Sequence, residues 1–85
     1  MNRIVLKKQL SEKVFLMKVM APLIAEERQP GQFIILQTES EYGERIPLTI
    51  ADADRKEGSI TLIFQVVGKT TAQLAQFEAG DDLPA

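Results

Sequence analysis

The sequence predicts an all-β domain, a small antiparallel β-barrel with one short helix near its end. Three observations support this class. Apolar runs of strand length recur along the chain, turn residues separate these runs, and helical spacing occurs over residues 70–77. Strands do not alternate with long helical segments, so a parallel sheet with crossover helices is not expected.

A hairpin is predicted at the start of the chain. Residues 3–10 and 13–20 each carry an apolar run, and the Ser11-Glu12 link between them is short enough for a hairpin. Basic residues outnumber acidic ones in this region, and their side chains are expected mostly on solvated strand faces. These bases are Arg3, Lys7, Lys8, Lys13 and Lys18.

A loop and a third strand follow. Residues 21–31 are bracketed by prolines and end in Pro30-Gly31, so a loop with room for one helical turn is expected. Residues 32–38 predict the third strand. Phe33 and Ile35 are expected on one face, and Ile34 and Leu36 on the other, so both faces are predicted to be partly covered, as in a closed barrel.

The fourth and fifth strands are predicted on either side of a charged turn at residues 52–58. A polar connection at residues 39–44 leads into the fourth strand, and residues 60–67 form the fifth. The alternation in the fourth strand places Ile46, Leu48 and Ile50 on one face and Pro47, Thr49 and Ala51 on the other. Pro47 would remove a ladder hydrogen bond, so it indicates an edge or a bulge.

The last element is a helix over residues 70–77, with Thr70 and Gln73 as a possible capping box and Gly80 as its end. A strand followed by Gly68 and a helix directs backbone N–H groups at whatever lies in front of them. The turn at Gly68 is therefore either an ordinary helix start or a phosphate-binding turn. A Walker A loop would need glycine at position 63, which is Ile63, so a nucleotide triphosphatase is excluded.

Composition excludes many mechanisms. The 85 residues, 45 % apolar and 26 % charged, make one small globular domain with no Cys and no His. Zinc fingers, disulfides, cysteine-held clusters and Ser-His-Asp triads are therefore impossible within this chain. The net charge of −2 argues against nucleic-acid binding. No apolar stretch approaches a membrane span, so no membrane partner and a cytoplasmic location are expected.

Three motifs, in order, resemble the FAD-binding domain of the ferredoxin–NADP reductase superfamily. They are P-G-Q-F at residues 30–33, R-I-P-L-T-I at 45–50 and F-Q-V-V-G-K-T-T at 64–71. More narrowly, the sequence is similar to the branch of dihydroorotate dehydrogenase electron-transfer subunits, and within it to the small FAD subunits of NADH-dependent ferredoxin:NADP oxidoreductases. The resemblance covers essentially the whole chain.

The resemblance implies a six-stranded Greek-key barrel with FAD on its side. Thr49 would face the redox-active edge of the flavin, and Leu48 would give the isoalloxazine ring an apolar contact. The Gly68 turn would meet the pyrophosphate. Arg45, one position away from the arginine of the family's R-x-Y-[ST] pattern, would reach the phosphates or the ribityl chain. The implied cofactor-binding residues are Arg45, Pro47, Leu48, Thr49, Val66, Gly68, Lys69, Thr70 and Thr71.

The resemblance further implies that the chain ends before or within the last barrel strand, with the NAD(P)-binding domain and the [2Fe–2S] segment downstream. The whole protein would pass electrons between NAD(P)H and an iron–sulfur partner, as part of a heteromeric oxidoreductase with a catalytic or iron–sulfur subunit. The 85 residues alone are expected to be inactive. The alternative is a non-catalytic β-barrel interaction module. An oligonucleotide-binding barrel is less favoured, because most of the five aromatic residues are expected in the core.

Overall fold

The structure, a computed structural model, describes residues 2–37 and 45–83, with the side chains of Leu36, Gln37, Arg45 and Thr70 outside the description. The predicted polar connection at residues 39–44 also lies outside the described residues. The described elements are β1 (Arg3–Ser11), β2 (Val14–Met20), α1 (Pro22–Glu27), β3 (Phe33–Gln37), β4 (Arg45–Asp54), β5 (Ser59–Gln65) and α2 (Lys69–Leu74).

The strands form one antiparallel sheet in the order β1-β2-β5-β4-β3. The β1–β2 hairpin packs beside β5 rather than beside β3, because β2 pairs with β5 along its whole length. This order is a Greek-key arrangement and confirms the predicted all-β class. The segment predicted as a loop with room for one helical turn forms the six-residue helix α1.

The predicted alternation in β4 is confirmed. Leu48 and Ile50 are buried in the core, whereas Pro47, Thr49 and Ala51 are exposed on the opposite face. Pro47 lies opposite Ile35 of β3, at a point before β4 joins its ladder with β5 at Ile50. The proline therefore occupies a position where the β4–β5 ladder needs no N–H donor.

The prediction that both faces of β3 are partly covered is wrong for the side chains that the structure describes. Phe33 is 58 % exposed and Ile35 is 53 % exposed, while Ile34 packs against the core. The side chain of Leu36 lies outside the description. Apolar alternation predicted the strand correctly, but it could not show that the outer face of β3 carries no covering element within residues 2–37 and 45–83.

A β-bulge interrupts β1 near its start. Ile4 lies opposite Val19, but Leu6 lies opposite Lys18 and Lys7 opposite Met17, so the register shifts between Ile4 and Leu6. Ile4 and Lys7 consequently share the core-facing side, and Leu6 is 48 % exposed on the other. The expectation of a solvated face is therefore wrong for Lys7, whose side chain is only 14 % exposed.

The helix α2 is shorter than predicted and Gly80 does not end it. The helix ends at Leu74, with Ala75 as its C-cap. Gly80, with φ 101°, instead turns the chain back onto β1, where its N–H donates to the Ile4 carbonyl at 2.7 Å. Residues 80–83 then follow the outer edge of β1 through an antiparallel bridge between Arg3 and Asp82.

Among the described residues, no helix has the length and apolar content needed to cross a membrane.

Candidate functional site

The three motif segments converge on β4. Because β4 runs antiparallel to β5, its first residues lie at the same end of the sheet as the last residues of β5 and the following turn. On its other side β4 pairs with β3, and the ladder extends into the Pro30-Gly31 turn through Gly31 N–H to the Ile50 carbonyl at 2.9 Å. The sheet thus places the Pro30-Gly31 turn and Phe33 beside Thr49 and Ile50, and it directs residues 64–71 toward the end of the sheet where β4 begins.

A partly apolar surface lies on the outer face of β3 and β4. Phe33 is directly opposite Thr49, and Ile35 is directly opposite Pro47, so the four side chains share one face. We call these four residues the outer-face patch. It offers exposed apolar area beside the hydroxyl of Thr49. Pro47 and Thr49 were predicted site residues, whereas Phe33 and Ile35 were missed, since a sequence pattern gives no measure of exposure.

Leu48 faces away from this patch. Its side chain is 6 % exposed and lies opposite Ile34, within the core. At this position only the backbone reaches the outer surface, so the predicted contact between Leu48 and a flavin ring could not come from the isobutyl group. The backbone of Arg45 pairs with Gln37 at the start of β4, and its side chain lies outside the description.

Gly68 precedes α2 in extended backbone, with φ −171° and ψ −174°. Any residue can adopt this conformation, so the local backbone does not require glycine. Apart from its chain neighbours, a Cβ placed on Gly68 would meet no atom of the described residues within 4 Å. The glycine therefore leaves open space in front of the turn, which is what close approach of a ligand to the backbone requires.

Thr71 holds the Gly68 turn in shape. Its hydroxyl accepts hydrogen bonds from the N–H groups of Val67 at 2.9 Å and Gly68 at 3.1 Å. The capping pair observed is therefore Gly68 with Thr71, two residues before the Thr70–Gln73 pair suggested by the sequence. The side chain of Thr70 lies outside the description. Because its hydroxyl already accepts these two hydrogen bonds, the main role of Thr71 is to stabilise the conformation of the turn.

The other two predicted residues of this segment flank the glycine. Val66 is half-buried against the core, and its N–H donates to the Lys13 carbonyl at 2.7 Å. Lys69, the first residue of α2, is exposed to solvent. Val66 thus ties the segment to the β1–β2 hairpin, while Lys69 presents a cation beside the open space at Gly68.

A cleft of about 670 Å³ lies beside β3, the last strand in the order of the described sheet, next to α1. It is lined by Phe33 and Ile35 of the outer-face patch together with residues of α1 and the turn after it, including Ile24 and Arg28. The described lining includes none of the nine predicted site residues. The cleft adjoins the outer-face patch but is separate from the Gly68 turn.

An ion pair occupies the opposite end of β5. The hydrogen bond between Lys18 and Glu57, 2.6 Å long, raises the pKa of Lys18 and lowers the pKa of Glu57. Glu57 precedes β5, whereas the Gly68 turn follows it, so this pair is remote from the candidate site. It provides a control position for experiments on lysines nearer the turn.

The Greek-key sheet, with an exposed outer face on β3 and β4 and a glycine turn after β5, agrees with the ferredoxin reductase-like class that the sequence resembles. Comparison with known proteins supports this class, although no family model matches the chain. The chain is 53 % identical over 81 residues to an uncharacterized protein in the adh 3′ region of Clostridium beijerinckii, covering 95 % of this chain and 27 % of that protein. It is 41 % identical over 83 residues to the dihydroorotate dehydrogenase B (NAD(+)) electron transfer subunit homolog of Thermotoga maritima, covering 98 % and 29 %.

A solved structure of the NADH-dependent reduced ferredoxin–NADP oxidoreductase, studied for flavin-based electron bifurcation, matches with a TM-score of 0.90 and 41 % identity. The match covers 98 % of this chain and 30 % of that one. The chain therefore belongs to the ferredoxin reductase-like family, in the branch that includes the dihydroorotate dehydrogenase electron transfer subunits. It spans less than a third of the length of these relatives.

Proposed function

We propose that this chain is the FAD-binding domain of an electron-transfer subunit that passes electrons between NAD(P)H and an iron–sulfur partner. Relatives named as electron transfer subunits support the electron-transfer role. The observation that carries the FAD assignment is that one strand, β4, joins the outer-face patch to the end of the sheet where the Gly68 turn lies.

The spacing along β4 suits an elongated ligand. Thr49 and Arg45 are four residues apart, which is about 13 Å in a strand that rises about 3.3 Å per residue. The ring of FAD would lie on the outer-face patch, against Phe33 and Thr49. The ribityl chain would follow Pro47 and the backbone of Leu48 toward Arg45.

The Gly68 turn would receive the diphosphate. Gly68 leaves space for close approach, Lys69 supplies a cation, and the backbone of Thr70 belongs to the first turn of α2. Thr71 and Val66 would act mainly by holding the turn in place, through the hydrogen bonds described above. The residues present thus fit the ring of the cofactor and its diphosphate.

Bound FAD would supply the redox chemistry, because a flavin accepts two electrons together and can release them one at a time. The chain would bind the cofactor, orient its ring and shield part of it from water. In this proposal the NAD(P) and [2Fe–2S] sites lie outside the 85 residues, the partner is a catalytic or iron–sulfur subunit, and the complex is cytoplasmic.

The test is FAD reconstitution of the full-length protein, followed by its visible spectrum. Wild-type protein should acquire a bound-flavin spectrum. Gly68→Val should weaken FAD binding at least about tenfold without altering circular dichroism, since the added atoms enter open space in the free protein. Ala79→Val, at an exposed turn position, is the control and should bind normally.

A folded wild-type protein that never acquires a flavin spectrum would overturn the proposal and favour an interaction module. Equal FAD binding by wild type and Gly68→Val would remove the Gly68 turn from the site.

A further inference from the structure

Lys7 occupies an unusual position for a lysine. The β-bulge in β1 turns it toward the core side of the sheet, directly opposite the fully buried Met17. Its side chain is 14 % exposed. Removing an ammonium group from water is costly unless it is paired and hydrogen-bonded, and an apolar side chain could fill the same space. The specific partners of Lys7 therefore indicate what it does.

Its two hydrogen-bond partners lie just beyond the carboxyl end of α2. The Lys7 ammonium donates to the Ala75 carbonyl at 2.5 Å and to Glu78 Oε1 at 3.1 Å. It also lies 5.3 Å from the centre of the Phe15 ring, within cation–π distance. Lys7 thus connects β1 to the helix C-cap and to the turn that follows it.

The carboxyl end of α2 has no positive charge of its own. The last turn of α2 contains no basic residue, although a cation there would offset the partial negative charge of the free carbonyl groups. Lys7 supplies that cation from β1. The buried side chain of Leu74 holds the same end of the helix in the core. The buried side chain of Leu74 and the hydrogen bonds of Lys7 therefore both hold the end of a helix that is only six residues long.

A continuous set of hydrogen bonds links Lys7 to the Gly68 turn. Lys7 binds the Ala75 carbonyl, and the Ala75 N–H donates to the Thr71 carbonyl at 3.0 Å. The Thr71 hydroxyl in turn accepts from Gly68 N–H. If the end of α2 that Lys7 holds were displaced, the Gly68 turn at the other end of this short helix would therefore move with it.

We propose that Lys7 is a positioning residue that fixes α2 against β1 and thereby aims the Gly68 turn at the diphosphate of FAD. This inference rests on the proposed function. Lys7 does not itself reach the cofactor in this arrangement; it acts through Ala75 and Thr71. Its effect should consequently be confined to ligands that carry phosphate.

The experiment compares FAD with riboflavin, which has the same ring and no phosphate, on the full-length protein. Lys7→Met keeps the length and bulk of the side chain and removes the charge, so the fold should persist beside Met17. We expect FAD to bind about tenfold more weakly to Lys7→Met, with riboflavin affinity unchanged. Lys7→Arg keeps a cationic donor and should restore FAD affinity to within about threefold of wild type.

The matched control is Lys18→Met, which removes the other paired lysine at the far end of β5 and should change neither affinity. If wild-type protein binds no FAD, the proposed function fails and this inference fails with it. If wild-type protein binds FAD and Lys7→Met binds it equally well, only the role of Lys7 is overturned. An equal loss of FAD and riboflavin affinity would also overturn it, because that pattern indicates general damage to the domain.

Discussion

Phe33 offers a direct test of where the flavin ring lies. Fully burying a phenylalanine side chain contributes about 1.5–3 kcal/mol. In the free protein 58 % of Phe33 remains exposed. A flavin ring stacked on Phe33 would bury this remaining surface and gain roughly the same fraction of that burial free energy. Phe33→Ala should therefore reduce the FAD binding free energy by about 1–2 kcal/mol, which is roughly a five- to thirtyfold rise in Kd.

The measurement is a fluorescence titration of the full-length protein with FAD, alongside urea unfolding. Unfolding should change little, because Phe33 contributes mainly exposed surface to the free protein. Leu23→Ala is the matched control, since Leu23 is 74 % exposed on α1, away from β4. An FAD affinity of Phe33→Ala within about twofold of wild type would refute the placement of the ring on the outer-face patch. An equal loss in Leu23→Ala would refute it too.

Two further predictions concern stability. Gly58→Ala should lower the free energy of unfolding by about 2 kcal/mol, since φ is 78° and the new Cβ would lie 3.2 Å from Pro22. Gly31→Ala is also strained, with φ 93°, but its Cβ would meet no described atom within 4 Å, so chemical denaturation should show a smaller loss of stability; equal losses would contradict the contact with Pro22. The stabilisation from Lys18 and Glu57 should be present between their ordinary pKa values of 10.5 and 4.5. It should disappear as pH rises through the raised pKa of Lys18 or falls through the lowered pKa of Glu57. The pH-dependent part of the stability difference between wild type and Lys18→Met should therefore vanish at both extremes, and a difference that does not change with pH would contradict this.

Strand positions and the inward residues of β4 could be predicted because a half-buried strand alternates strictly. Leu48 and Thr49 fall on opposite faces for this reason, as the sequence indicates. The resemblance grouped the three motif segments by their order along the chain and predicted no contact between them. Their convergence on β4 then follows from antiparallel pairing.

Other features depend on register shifts, turns and tertiary packing, which the alternation of apolar residues does not predict. A register shift after Ile4 places Lys7 inward and Leu6 outward, although hydrophobicity alone favours the reverse. Gly80 suggested a helix end, but its positive φ serves a turn that returns the chain to β1. The exposure of Phe33 depends on what covers β3, which is a property of the tertiary structure.

The segment at residues 80–83 also affects how this chain behaves among other copies of itself. An unpaired edge strand is a template for strand addition and aggregation. Along β1 the first half of that edge is already paired, because Ile4 N–H donates to the Asp81 carbonyl at 2.8 Å and Leu83 N–H to the Asn2 carbonyl at 2.8 Å. The second half carries exposed Lys8 and a further register shift between Gln9 and Ser11. Both halves of β1 thus resist strand addition, and the short return of the chain onto β1 protects this edge of the sheet against pairing with another copy.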